Sequence, residues 1–549
     1  MPEESPAALT GGKKSKEIER LQMPVINNGQ WEAPFWGASK TFITGQDMLG
    51  MQTTSIATYA TLLPGLTNLT RRIRYYGFYM WLLEQYAKTK GKVSVSEFQR
   101  FMRRGELLLA FVMAHNHTEE LGVVGSLYAR NRLQKGIDPI DIAAGADREN
   151  NDIYWQYSSG AFGQYYQGSL SAIGLIAPSE SEKRILVCTP DYGRKLAGLF
   201  ENTIEETTRK RYLTAIANGT VSRDELSNFG KDFSLTGIQP HSAEWDFFIE
   251  MLFGQDYPKI DVPTGHATFR LETILLYLEY LDNRNQFKNA GSFPRSFHYR
   301  LWTKKPSVNY TACAGWHYYA LNEFAHYALE TLLWAFLVDL KNQGSIPLLN
   351  MVNSFSDQVH TTLMDNHETE KSLGDLSFQK FSIDFFQQGF APVSLTNEIR
   401  QTGSDAPFEG AVHALRVLAL IYQHDKHQIS ELSAYARKHG MYRNGDVTEF
   451  LSWIEKNEYL SLPAFIRKLL LQHILNRHIE VAMRKMRNRN ENTLKFILED
   501  NILKWVDTAE PVWTSPRIDS LHQFLVDLKL VEGNNLTDLG RQLLAEKQQ

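Results

Sequence analysis

Residues 68–87 read NLTRRIRYYGFYMWLLEQYA, and within them Leu69, Ile73, Tyr76, Met80, Leu83 and Ala87 recur at alternating spacings of four and three. That period lays one apolar stripe along an α-helix. The dipeptide Pro64-Gly65 supplies a turn before it. Downstream, Ser94 and Glu97 precede Phe98, Phe101 and Met102, a pattern in which a hydroxyl and a carboxylate satisfy backbone amides at a helix N-terminus. The apolar run 107–114 extends that helix to His115. Helical periodicity returns over residues 270–285, 314–342 and 409–423, separated by Gly, Pro, Asn and Asp clusters. The middle of the chain therefore reads as a helical array, with Phe324, Tyr327, Leu332, Ala335 and Val338 facing a core.

Two stretches depart from this pattern. A helix-compatible segment ends at residues 174–176, a polar turn follows over 178–183, Ile185, Leu186 and Val187 read as a strand, and Thr189-Pro190 opens a new helix. The same order returns near the C-terminal end: helix 521–530, turn 532–535, an extended Leu536 and a cap at Thr537. Thr189 with Gly193, Arg194, Lys195 and Leu196 is answered by Thr537 with Gly540, Arg541, Gln542 and Leu543. Helix, hairpin, threonine, glycine and leucine in this order resemble the wing region of winged-helix domains. The resemblance implies two α+β modules, with Arg517 opening the recognition helix of the second. In the first, Tyr165, Tyr166, Gln167, Ser169 and Ser171 stand where a basic recognition helix is wanted. The expected fold is mainly α, a multidomain helical array with two winged-helix-like modules. Its expected units are a disordered tail (1–22), an N-terminal helical domain (23–145), the first module (146–205), a central helical domain (206–400), a C-terminal helical domain with a basic segment (401–500) and the second module (501–549).

A chain of 549 residues exceeds what one core usually serves. Its two cysteines, Cys188 and Cys313, are far apart and have no zinc-type spacing, which argues against a disulfide framework and fits a reducing compartment. Pro2, Glu3 and Glu4 stand where a secretory signal would be basic, so a cytoplasmic protein is expected. The apolar runs 107–114 and 332–338 fall well short of the roughly 20 residues a bilayer requires, so no membrane contact is expected. With 58 basic and 62 acidic residues the net charge is -4, which excludes a globally basic nucleic-acid binder and confines any such surface to local patches.

Arg71, Arg72 and Arg74 form one such patch and Arg100, Arg103 and Arg104 another; the alternative is a solvated helix face paired with carboxylates such as Glu84. The strongest lies over residues 467–495, where Arg467, Lys468, Arg477, Arg484, Lys485, Arg487, Arg489 and Lys495 meet only Glu480 and Glu491. Eight cations against two anions suit phosphate neutralisation with counterion release, or an internal dock for Glu499-Asp500. The expected DNA-contacting set is Arg71, Arg72, Arg74, Arg477, Arg484, Lys485, Arg487, Arg489 and Arg517.

Candidate chemistry is sparse. His413 with His424-Asp425 resembles the His-Asp pair through which HD-type phosphohydrolases bind metals. That reading also wants an upstream histidine, His360 or His367, and a later aspartate such as Asp446; an exposed helix end bearing Lys426 and His427 is the alternative. His115-Asn116-His117 reads as a helix terminus, and His241, Glu244 and Asp246 lack the paired histidines of a zinc-protease helix. GxxxxGK[ST], GxSxG and GxGxxG are absent, so no cofactor is expected and no catalytic residue is assigned.

Residues 51–79, MQTTSIATYATLLPGLTNLTRRIRYYGFY, are similar to uncharacterised bacterial proteins encoded beside ATPases and nucleases in anti-phage defence loci. The chain resembles the non-enzymatic subunit of a Menshen-type system. The resemblance implies a DNA-associated adaptor with DNA and ATPase or nuclease subunits as partners, and it leaves a homo-oligomer open. A pure protein scaffold and a metal-dependent phosphohydrolase or nuclease built on His413, His424 and Asp425 are the other two readings.

Overall fold

Ala312–Gln343 forms a single helix of 32 residues, about 48 Å long at 1.5 Å per residue. From Tyr318 to Leu340 every residue is buried. A helix enclosed on all sides needs partners on all sides. Gln52–Leu62, Pro392–Gln401, Pro407–Asp425, Ile429–Lys438 and the 3-10 helix Pro294–Arg300 supply them. The structure, a computed structural model, describes residues 47–69, 71–88, 94–117, 122–254, 266–282, 290–300, 311–365, 376–401, 406–489 and 492–548. The predicted tail 1–22 lies outside the described residues. The fold is mainly α, and no described helix is long and apolar enough to cross a membrane.

A second centre forms around helix Arg74–Lys88, which packs on Gly193–Glu201 and Val95–Asn116. The predicted stripe is too narrow a description of it. Tyr75, Phe78, Trp81 and Leu82 are as buried as Tyr76 and Met80, because helices cover more than one face. Leu69 precedes the helix and is 50% exposed. Ser94 caps the next helix as the spacing predicts, its Oγ accepting from the Glu97 amide at 3.5 Å.

Both hairpins are present. Ile176–Pro178 pairs with Leu186–Cys188, and Val531–Glu532 with Asn535–Leu536, each antiparallel. Thr537 caps the helix that follows it, accepting from Gly540 N at 3.1 Å; Thr189 Oγ1 accepts from Gly193 N at 3.0 Å, but the N-cap position of helix Gly193–Glu201 is Tyr192, so the expected Thr189-Pro190 start falls a turn early. A Cβ on either glycine would strike a carbonyl oxygen, that of Leu175 or Leu530. Both segments pack on neighbouring helices. The helix after the first hairpin packs on Arg74–Lys88, and the second hairpin and its helix Asp538–Lys547 pack on His266–Asp282.

A three-stranded antiparallel sheet sets Ile502–Trp505 between Ile346–Pro347 and Phe496–Glu499. Residues 506–516 then cross the central helix as a strap. Val512 N donates to Glu330 Oε2 at 3.1 Å and Thr514 N to Glu323 Oε2 at 2.8 Å. On the opposite side of the sequence, Ser55 Oγ donates to Glu323 Oε1 at 2.5 Å and Asn322 Nδ2 to Met51 O at 3.1 Å. Contacts thus join the units that the sequence separates.

Candidate metal centre

Helix Pro407–Asp425 starts with proline in its first turn, where the missing amide costs nothing. It stops at Asp425, and the chain folds back as Lys426 N bonds to Tyr422 O at 2.8 Å and Gln428 N to Asp425 O at 2.9 Å. That turn holds His424 and Asp425 against the second turn of the central helix, where His317 sits. His317 Nε2 lies 2.7 Å from Asp425 Oδ1, and His424 Nδ1 lies 3.2 Å from Asp425 Oδ2. Gln428 Nε2 donates to Asp425 Oδ1 at 2.5 Å. The two imidazole centroids are 6.0 Å apart.

One ligand atom from each of His317, His424 and Asp425 falls within 4.8 Å of the others. Metal–nitrogen and metal–oxygen bonds of about 2.0–2.2 Å place neighbouring ligand atoms roughly 3–3.5 Å apart, so small side-chain movements would seat a cation. Two imidazoles and one carboxylate leave coordination positions open, the set found in catalytic zinc sites and non-haem iron centres. His317 Nδ1 lies 3.4 Å from the Phe297 carbonyl oxygen. An outward hydrogen bond of that kind fixes the tautomer of a ligating histidine. Asp425 is fully buried, whereas the side chains of His317 and His424 keep 16% and 28% of their exposure, which opens the centre to solvent on the imidazole side.

The structure replaces part of the predicted metal set. His413 lies against Glu398, its Nδ1 3.1 Å from Oε2, and is not in the cluster. Asp446 caps helix Val447–Asn457 through Glu449 N at 3.0 Å and accepts from the Tyr318 hydroxyl. His360 sits on helix Leu348–Asp365 outside the cluster, and His367 lies outside the described residues. The histidine that sequence reasoning missed is His317, 108 residues before Asp425. Its only signal is a polar imidazole among Trp316, Tyr318 and Tyr319 in an otherwise enclosed helix.

Most of the predicted DNA-contacting residues are committed internally. Arg72 Nη1 pairs with Asp527 Oδ1 at 2.5 Å. Arg74 Nε faces both Glu244 oxygens at 3.1 and 3.2 Å, and its remaining nitrogens reach Ser234 O and Thr203 Oγ1. Arg477 Nε donates to Leu49 O at 2.6 Å, and Lys485 Nζ to Asp47 O at 2.8 Å. Arg517 does not face outward from a recognition helix. It takes a left-handed backbone (φ 67°) before helix Ile518–Asp527, donates to Leu63 O at 3.1 Å and lies over the Tyr59 ring. Arg71 and Arg484 are exposed. Arg487 and Arg489 fall on helix Asn476–Arg489, and their side chains lie outside the described residues.

The second arginine group is likewise structural. Arg103 donates to the carbonyls of Ala146, Trp155 and Tyr157, and Arg104 pairs with Asp147 at 2.6 Å. Arg100 reaches Glu149 at 3.4 Å. Glu84 meets Arg194 rather than Arg71 or Arg74. No family model, no curated protein and no solved structure matches the chain.

Proposed function

We propose that this protein binds a divalent metal ion through His317, His424 and Asp425 and uses it to hydrolyse a phosphoester. The convergence of those three ligand atoms from two helices supports the reading. A divalent ion in such a set lowers the pKa of bound water toward 7 and polarises a phosphoryl oxygen. Water then adds to phosphorus and an alcohol leaves with a proton, a balance that needs no redox partner. Lys426, the residue after Asp425, is half-buried and adds a positive charge next to the cluster in sequence, the sign an anionic substrate requires. Gln428 acts as a positioning residue, holding the Asp425 carboxylate.

The test is metal analysis of purified protein, calorimetric titration with Zn²⁺ and Mn²⁺ after chelation, and turnover of a phosphodiester such as bis-p-nitrophenyl phosphate. Near-stoichiometric metal that disappears in Asp425→Asn, with turnover lost in His424→Ala, is expected. Absence of saturable metal binding, or turnover untouched by both substitutions, would overturn it.

A second reading keeps the chain as a DNA-associated adaptor in a bacterial defence complex, joined to ATPase or nuclease subunits. It is favoured by the exposure of Arg71 and Arg484, which among the described residues form no ion pair. A salt-dependent gel shift weakened in an Arg71→Ala, Arg484→Ala double variant supports it; an unchanged shift removes it.

A further inference from the structure

The strap, the 3-10 helix Pro294–Arg300, the central helix and helix Ile518–Asp527 meet around a cavity of about 140 Å³ that opens to solvent. One cation and one anion line it, Arg295 and Asp519, yet among the described residues no ion pair or hydrogen bond joins them. Pro294, Pro516 and the rings of Tyr319 and Trp513 add apolar wall. The Tyr319 hydroxyl is tied to Thr514 Oγ1 at 2.8 Å.

Both charged groups keep capacity to spare. Arg295 gives Nε and Nη2 to the Gly291 carbonyl at 3.1 and 3.0 Å, and among the described residues nothing accepts from its Nη1. Its guanidinium lies 5.1 Å from the centroid of the Trp513 ring, a contact that fixes its position on the wall. Asp519 stands exposed in the first turn of its helix and accepts no hydrogen bond among the described residues. Glu323, a buried acid whose field also reaches Arg295, spends its oxygens on Ser55 Oγ and Thr514 N. Burial, and then the like charge of Arg400, which stands outside the cavity wall, push the Arg295 pKa down. A carboxylate arriving beside Arg295 would offset both effects.

We propose that this cavity binds a free α-amino acid as its zwitterion, with the carboxylate on Arg295 and the ammonium on Asp519. A cation and an anion held apart on one small cavity suit a ligand that carries both charges on adjoining atoms. A simple anion would meet the repulsion of Asp519, and a simple cation that of Arg295, so the pair of charges selects against each. A guanidinium edge also matches a carboxylate in shape. The volume falls below the roughly 300 Å³ at which drug-sized ligand pockets begin, which fits a molecule of a few heavy atoms. The inference stands apart from the metal reading, since it uses none of the same side chains.

Calorimetric titration of the full chain with L-alanine tests it, beside N-acetyl-L-alanine, which lacks the ammonium, and L-alaninamide, which lacks the carboxylate. Saturable binding of L-alanine is expected, with each analogue weaker by roughly tenfold or more, the loss of one charge-assisted contact. Asp519 is exposed, so Asp519→Asn keeps its fold; it should weaken L-alanine to the same degree and leave N-acetyl-L-alanine unchanged. Arg295→Gln should weaken L-alanine and leave L-alaninamide unchanged. Heats of L-alanine indistinguishable from buffer, either analogue binding as tightly as L-alanine, or equal L-alanine affinity in wild type and Asp519→Asn would overturn the proposal.

Discussion

His326 Nε2 lies 2.9 Å from Glu330 Oε1, one turn further along the central helix, and neither side chain is reached by solvent. Glu323 stands on the other side, 3.9 Å from Nδ1. Burial alone would lower the imidazole pKa, but Glu330 and Glu323 outweigh it and lift it to about 9. The same two carboxylates hold Met48 N, Val512 N and Thr514 N, so one buried histidine balances the charge that anchors both the strap and the start of the described chain.

A histidine whose folded pKa is raised contributes stability that is complete below its unfolded value of about 6.5 and is lost as pH climbs through about 9. Denaturant unfolding across that window should show the decline in wild type and a flatter profile in His326→Gln. At neutral pH the substitution should cost about 3–5 kcal/mol, the usual penalty for stranding buried carboxylates.

Arg72 and Asp527 form a second buried pair. Burial raises the Asp527 pKa to about 6 against the pull of Arg72. Removal of the guanidinium in Arg72→Ala should destabilise the chain by about 3–5 kcal/mol. Limited proteolysis should then cut first within residues 518–548. An unchanged melting profile would show that this ion pair does not hold the last helices.

Glu106 is buried beneath the start of the segment Phe162–Tyr166, accepting from Ala161 N, Phe162 N and the hydroxyls of Tyr79 and Tyr154. Burial raises its pKa to about 7, and the two amides, Tyr79 and Arg103 oppose the rise. Its stabilising effect is therefore full below about pH 4.5 and is lost as pH rises from there through about 7. Glu106→Gln should remove that slope, shifting in the variant's favour by on the order of 3 kcal/mol between those limits. Gly160→Ala should destabilise at any pH, since Gly160 has φ +65° and a Cβ there would strike Glu106.

Saturating Zn²⁺ or Mn²⁺ should raise the melting temperature of wild type. At a concentration about 100 times the dissociation constant the added stability is about 2.7 kcal/mol. His317→Ala should lose this gain while His413→Ala keeps it, because His413 lies outside the cluster. A gain lost in His413→Ala but retained in His317→Ala would relocate the centre.

The elements written in local spacing were legible. The Ser94 and Thr537 caps, the two hairpins, and the apolar centre of the long helix all follow from residues within a few positions of one another. The metal cluster was half legible: His424-Asp425 are adjacent, but His317 approaches only through the packing of two helices. The internal partners of Arg72 and Arg74 were not legible for the same reason. A sequence window shows Arg72 and Arg74 beside each other, while Asp527 and Glu244, which absorb their charge, stand 455 and 170 residues away. Local charge excess reports a surface only when the neutralising partners are also local.

The strap across the central helix sets an order of assembly. Glu323 and Glu330 reach interior positions on a helix that is already surrounded by Gln52–Leu62 and Pro407–Asp425, yet their backbone partners at Val512 and Thr514 leave the ribosome nearly 200 residues later. Until then the growing chain carries buried carboxylates and an Arg72 without its counter-ion. Such a chain depends on long-range closure late in synthesis, the topology that folds slowly and exposes core surface longest. Fragments cut at the apparent boundaries should therefore behave as unfinished folding intermediates rather than as domains.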